Sequence, residues 1–331
     1  MWDSTTLTSV GAFVASGLLT RAARRFALAR GVLDVPNARS SHERPTPRGG
    51  GIAIVLATVS ALGVLAAVGV VKPDLLLALT GGGLAVASVG LVDDRHPLPA
   101  WVRLIVHIAA AIWALFWLGR GSDGVVLQVL NVLAIVWVLN LYNFMDGIDG
   151  IAASEGIFVS WGGGGLLLAL GGGLGVAAAA FAFGAACGGF LIWNWPPAKI
   201  FMGDVGSGYL GYVIAVLALA SSHVNPVSLW VWLILGGAFF VDATVTLIRR
   251  TLRGDRVYQA HRSHAYQWLA RRWGSHKRVT LTVLALNVSW LLPCAWFAMA
   301  HPGVAVWTAV VALIPLVLAA LLTGAGRAEV G

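Results

Sequence analysis

Residues 125–145 read VVLQVLNVLAIVWVLNLYNFM, without one charged side chain, and Asp146-Gly-Ile-Asp149-Gly150 follows directly. At 1.5 Å per residue such a helix rises about 30 Å, the thickness of the hydrocarbon layer of a bilayer. The stretch therefore reads as a membrane span that delivers two carboxylates to its rim. Working outward, the same pattern recurs, and eleven spans are expected: 7–28, 50–71, 75–92, 101–118, 125–145, 155–171, 174–193, 206–221, 228–248, 280–300 and 303–323. The fold class is an all-α, polytopic transmembrane helical bundle, with 1–331 as a single domain.

Composition agrees. Of 331 residues, 58% are hydrophobic and 11% charged, with mean hydropathy +0.83, whereas a soluble domain carries about a quarter charged residues. The deficit runs the whole length, so one anchor helix does not explain it. The 41 glycines suit helices that approach closely in lipid. Cys187 and Cys294 lie in apolar runs, against a disulfide framework or a zinc site, and the first apolar run shows no cleavable signal. A net charge of +8 reflects basic cytoplasmic loops in a membrane chain, so no nucleic-acid partner is expected.

Charge also orients the bundle. With 29–49 in the cytoplasm and every span reversing direction, 20 of the 22 Lys and Arg fall inside, as the positive-inside rule demands. Only Lys72 and Arg120 fall outside. The odd count puts the N-terminus outside and the C-terminus in the cytoplasm. Asp34, Glu43, Asp93, Asp94, Asp146, Asp149, Glu155 and Asp204 gather at the same ends of the spans. Polar groups on one face argue against a transporter or lipid-linked-sugar flippase, which needs them accessible from both sides.

Five segments carry chemistry. Asp93-Asp94 closes the third span, where adjacent carboxylates repel and burial of either is costly unless a cation or phosphate chemistry compensates; a solvated turn is the plainer reading. In Asn140-Leu-Tyr-Asn143-Phe-Met-Asp146-Gly-Ile-Asp149-Gly150 the asparagines share a helix face, and the glycines permit a turn that brings two carboxylates together. The spacing lacks the other oxygen ligands of a calcium loop. Asn194-Trp-Pro-Pro-Ala-Lys199-Ile-Phe201-Met-Gly203-Asp204-Val-Gly206-Ser207-Gly208 sets a lone acid at a helix start, where backbone N–H groups suit phosphate and the carboxylate suits a hard cation. The basic loop 249–279 holds His261-Arg262-Ser-His264-Ala-Tyr-Gln267 and His276, suited to pyrophosphate oxygens. Zinc lacks a third protein ligand there, and lipid-headgroup binding is the plain alternative. Asn37-Ala-Arg39-Ser-Ser-His42-Glu43-Arg44-Pro-Thr-Pro-Arg48-Gly-Gly-Gly51 is polar, proline-broken and anion-friendly.

In this order the five motifs resemble the polyprenyl-phosphate N-acetylhexosamine-1-phosphate transferase family, which includes phospho-N-acetylmuramoyl-pentapeptide transferase. The resemblance covers about residues 30–280 and leaves two C-terminal spans, 280–331, for helix packing or a homodimer contact. The His-Arg-Ser-His-Ala-Tyr-Gln form is similar to the branch that initiates O-antigen, where the peptidoglycan enzyme has adjacent histidines. The resemblance implies a multi-pass enzyme of the bacterial inner membrane, its active site facing the cytoplasm. It would transfer N-acetylhexosamine-1-phosphate from a UDP-N-acetylhexosamine to undecaprenyl phosphate, giving undecaprenyl-diphosphate-sugar and UMP. It implies Mg²⁺, with Mn²⁺ able to substitute, on Asp204 and Asp94, with Asp93, Asp94 and Asp204 catalytic. Asn143, Asp146, Asp149, Asn194 and Phe201 would bind the nucleotide. His42, Arg48, Lys199, His261, Arg262 and His264 would hold the sugar pyrophosphate. Asp93 is the expected base toward a phosphate whose second pKa near 6 asks little help; a covalent aspartyl-phosphate route stays open. Asp242, inside the ninth span, is a functional candidate by its burial alone, or else a helix–helix hydrogen bond.

Overall fold

The computed structural model describes residues 2–36, 44–224, 229–255 and 261–327. The chain is helical nearly throughout, because hydrocarbon offers no water to unpaired backbone groups and a helix satisfies its own. Helix α1 spans Trp2–Arg30, then strands β1 (Leu33–Asp34) and β2 (Thr46–Pro47) pair antiparallel, Leu33 opposite Pro47. There follow α2 (Gly51–Ala67), α3 (Pro73–Asp93), α4 (Ala100–Trp117), α5 (Val125–Met145), α6 (Ile151–Ala169), α7 (Leu174–Asn194) and α8 (Asp204–Val224). The rest comprises α9 (Leu229–Leu235), α10 (Gly237–Leu252), α11 (Ala265–Trp273), α12 (His276–Leu286), a π-helical turn (Asn287–Leu291), α13 (Leu292–Ala300) and α14 (Ala305–Leu322).

Each of the eleven expected segments is helical. Among the described residues eight helices are long and apolar enough to cross a membrane, or nine if a bent pair counts as one span. That pair is α9 and α10, which meet at 81°, so the continuous span expected at 228–248 is broken at Gly236. Helix α2 is a shorter apolar helix, and α1 is long but ends among Arg21, Arg24, Arg25 and Arg30. Glu155 stands just past the first turn of α6, is 1% exposed and accepts a hydrogen bond from Asn287 Nδ2 at 2.6 Å.

Helix α8 is the axis of the bundle, with 94% of its apolar stretch buried. It packs against α3 and α5, while α1 lies along α7 and α2. Large apolar side chains such as Leu7, Phe116, Val125 and Trp307 remain on the outside, as a lipid-facing surface requires. The α3–α8 contact decides where the site forms. Gly90 of α3 sits so near the first turn of α8 that a Cβ there would fall 2.5 Å from the Asp204 carbonyl oxygen. Only a missing side chain lets the end of α3, with Asp93 and Asp94, reach the start of α8.

Candidate active site

Asp94 follows α3 and accepts two backbone amides from the first turn of α8, Asp204 N at 2.8 Å and Val205 N at 3.2 Å. These are orphan donors of a helix start, so Asp94 caps α8 from a neighbouring helix. The turn before α8 carries Gly203 at φ +77°, where a Cβ would lie 2.4 Å from Asp94 Oδ2. Glycine is needed there for its backbone angle and for space.

This cap presents Asp204 between two guanidinium groups. Arg48 Nη2 donates to Asp204 Oδ1 at 3.0 Å and lies 2.8 Å from Asp94 Oδ1. Arg103 Nη1 donates to Asp93 Oδ2 at 2.6 Å and reaches Asp204 Oδ2 at 3.5 Å. Asp93 Oδ1 accepts the Leu98 amide at 2.6 Å, which closes the turn between α3 and α4. Backbone bonds on the other side fix Arg48. Phe201 N donates to Pro47 O at 2.8 Å, Gly50 N to Phe201 O at 2.9 Å and Gly51 N to Met202 O at 2.9 Å. Segments 47–51 and 201–204 are thus laced together, and the arginine and the aspartate face each other across the seam.

The electrostatics follow from the crowding. Burial would lower the pKa of Arg48, but the charges of Asp94 and Asp204 outweigh it and raise the value. Burial pushes Asp94 above its ordinary range despite Arg48 and the two amides. Asp146 is pushed well up, first by burial and then by the Asp204 charge. Three carboxylates share two guanidiniums at the centre, so the cluster would welcome further positive charge.

A cavity of about 220 Å³ opens beside Asp204 and is lined by Arg48, Asn143, Asp146, Asp149, Asn194 and Phe201, among others. Asn143 Nδ2 donates to Ser207 Oγ at 3.0 Å. Asn194 spends its amide on structure: Gly150 N donates to Oδ1 at 2.9 Å and Nδ2 donates to Ile200 O at 3.0 Å. Asp149 accepts the Ala198 amide at 3.0 Å, and His276 Nδ1 lies 3.3 Å from its other oxygen. A wider, basic bowl of about 920 Å³ shares Asp149, Phe201 and His276 and adds Arg44, Arg262, Arg271 and Lys277. On the other flank an apolar crevice of about 340 Å³ between α1, α2 and α3, lined by Phe26, Ile52, Leu56 and Leu91, ends at Arg48 and Asp94.

The structure thus brings together Asp93, Asp94, Asp204 and Arg48, and around them the five residues expected to bind the nucleotide. Five expected residues are placed elsewhere or otherwise engaged. Asp94, expected beside Asp204 as a metal ligand, is committed to the α8 backbone. Lys199 does not line the cavity: its Nζ lies 5.6 Å over the Trp193 ring and its carbonyl accepts Arg24 Nε at 3.2 Å. His264 is 2% exposed and stacks on His261 with ring centres 4.9 Å apart. Burial, with His264 and Arg250 nearby, pushes His261 down to about 3. Arg262 lies in the outer bowl, and His42 is outside the described residues. The residue missed is Arg103; Asp34, Gln267 and His276, noted in the sequence without an individual role, also line the cavity. For Arg103 the available signal is a cation at the start of the span that follows an aspartate pair.

Apolar helices that end in one cluster of acids and arginines define a multi-pass membrane protein with a polar site at one end of its bundle. The sequence model described as Glycosyl transferase family 4 matches residues 76–222, a range that holds Asp93, Asp94, Arg103 and Asp204. The probable undecaprenyl-phosphate N-acetylglucosaminyl 1-phosphate transferase of Bacillus subtilis is 31% identical over 310 residues, 87% of this chain and 84% of that protein. The decaprenyl-phosphate N-acetylglucosaminephosphotransferase of Mycobacterium tuberculosis is 29% identical, over 84% of this chain and 78% of that one. The phospho-N-acetylmuramoyl-pentapeptide-transferase of Moorella thermoacetica is 32% identical over 54% of this chain and 63% of its own length. The chain belongs to glycosyl transferase family 4.

Proposed function

We propose that this protein transfers N-acetylhexosamine-1-phosphate from a UDP-sugar to undecaprenyl phosphate at the cytoplasmic face of the bacterial inner membrane, releasing UMP and starting an O-antigen-like polysaccharide. One observation supports the reading: Arg48, paired with Asp204 and Asp94, lines both the polar cavity and the apolar crevice. A water-soluble anion and a lipid-borne anion need such a junction. The names of the Bacillus and Mycobacterium relatives make N-acetylglucosamine the first sugar to try.

The lipid phosphate oxygen attacks the β-phosphorus of the UDP-sugar, the bond from β-phosphorus to the bridging oxygen breaks, and UMP leaves with that oxygen. Arg48 and Arg103 are aimed to neutralise the phosphate oxygens in a site where charge is poorly screened. Asp93 orients Arg103 and takes whatever proton the lipid phosphate still carries. Asn143, Asp149 and Phe201 line the nucleotide's side, and the bowl with Arg262 and Lys277 draws the dianion in.

The donor set fits a hard divalent cation. Asp204, with Asp93 beside it, offers carboxylate oxygens, and the two bridging guanidinium nitrogens mark where positive charge is wanted. Among the described residues no group of three or more His, Cys, Asp or Glu is placed to hold an ion unaided. The protein would therefore give Mg²⁺ one or two ligands and leave the rest to phosphates and water, its usual arrangement. When bound, the ion supplies positive charge to the phosphates and the leaving oxygen. EDTA is expected to stop turnover, with Mg²⁺ or Mn²⁺ restoring it; turnover that resists EDTA would take the ion out of the reaction.

The direct test incubates purified protein with undecaprenyl phosphate and each of a panel of labelled UDP-N-acetylhexosamines. Label should enter the lipid with release of UMP, and a panel that leaves the lipid unlabelled would refute the proposal. The α3–α8 contact gives a second check. Gly90→Ala should insert into membranes normally yet lose about 100-fold in turnover, as a displacement near 1 Å does elsewhere. A wild-type rate would mean that α3 has room to yield.

A further inference from the structure

One buried acid plays no part in that reaction. Asp242 of α10 is 6% exposed, and its two oxygens take four polar groups. Oδ1 accepts the Thr246 hydroxyl at 3.1 Å and the Ala265 amide at 2.9 Å, and lies 3.2 Å from His264 Nδ1. Oδ2 accepts the Tyr266 amide at 2.9 Å. Ala265 and Tyr266 open α11, so Asp242 satisfies orphan donors of that helix start from outside it, with the charge that a helix N-terminus favours.

What α11 does next gives the cap its meaning. The Tyr266 hydroxyl donates to Phe144 O at 2.9 Å, at the end of α5. Gln267 accepts the His264 amide at 3.4 Å and lines the cavity beside Asp204. Both side chains press on Gly147, where a Cβ would fall 2.1 Å from the Tyr266 hydroxyl and 2.8 Å from Gln267 Nε2. Gly147 belongs to the turn that carries Asp146 and Asp149. A continuous chain of contacts thus runs from Asp242 through the start of α11 to that turn.

We infer that Asp242 is a positioning residue for the nucleotide-sugar side of the site: it seats α11, and α11 holds the 146–149 turn through Tyr266 and Gln267. His264 belongs to this device and not to the surface that meets substrate. The identity of the ligand rests on the function proposed above; the seating of α11 does not.

The experiment compares wild type with Asp242→Ala and Asp242→Asn, and with Tyr266→Phe, which removes only the hydroxyl bond to Phe144. Steady-state kinetics are measured for the UDP-sugar and the polyprenyl phosphate separately. KM for the UDP-sugar should rise about tenfold in Asp242→Ala and less in the other two, while KM for the lipid stays within about twofold. Asp242→Asn should recover part of the loss, because its carbonyl oxygen still accepts the Ala265 amide. A protein merely misfolded in part shows fewer active molecules and unchanged KM values, and that result overturns the assignment. In parallel, trypsin cleavage at the exposed Arg271 and Arg272 should quicken in Asp242→Ala whatever the reaction turns out to be. Should wild type turn over no UDP-sugar, the functional reading fails alone, and unchanged cleavage would then overturn the role of Asp242.

Discussion

Asp204→Asn should reduce kcat about 1000-fold while the protein remains folded in the membrane. The substitution keeps the size of the side chain but removes the charge on which Arg48 and Arg103 converge and the oxygen donor best placed for a divalent cation. Loss of a metal's contribution is worth several kcal/mol, and about 4 kcal/mol corresponds to three decades in rate. The α8 cap survives, because it is made by Asp94 and not by Asp204. Elution position in detergent and thermal unfolding should therefore match wild type. Measurement of kcat at saturating Mg²⁺ decides the matter: activity within tenfold of wild type would remove Asp204 from the centre of the reaction.

Arg103→Gln is expected to cost nearly as much, about 100- to 1000-fold in kcat, as the removal of one donor to a developing oxyanion does elsewhere. Arg103 bridges Asp93 and Asp204 through Nη1, and the proposed reaction assigns the other arm of the same fork to a phosphate. An ammonium can imitate the bridge but not the fork. Arg103→Lys should accordingly unfold like wild type and regain about tenfold of the lost rate. If Gln and Lys prove equally poor in rate and equally destabilised, the arginine is holding the acids together and nothing more.

The fold was legible because lipid imposes one rule on every span: the eleven apolar segments are all helical, and their ends gather the acids that the hydropathy pattern interrupts. What the pattern could not report is direction within a span. Leu229–Leu235 and Gly237–Leu252 are apolar enough only when taken together, and nothing in their composition announces the 81° between them or their packing against α5, α13 and α14. Glu155 reads as an acid near a span end, and what the pattern does not report is its partner, Asn287 in the π-helical turn.

The site divides in the same way. Asp93, Asp94 and Asp204 stand out since carboxylates at apolar helix ends are expensive without a use. Their separate duties do not, for only the approach at Gly90 turns Asp94 into a cap and frees Asp204 to face the cavity. His261 and His264 carry the signal of a cationic phosphate loop in sequence, whereas in space Asp242 holds His264 and burial pushes the pKa of His261 down. Arg103 carries only a weak mark in sequence, a cation opening the span after the aspartate pair, and its partners appear only when α3 and α4 are folded back on each other.

The lacing of residues 47–51 to 201–204 bears on any attempt to exchange parts between relatives. Since the peptide groups of one segment complete those of the other, a chimera that imports the arginine-bearing stretch alone inherits a mismatched seam. Donor sequence for both stretches must travel together, and recombination between them should be tolerated only where both parents trace the same backbone.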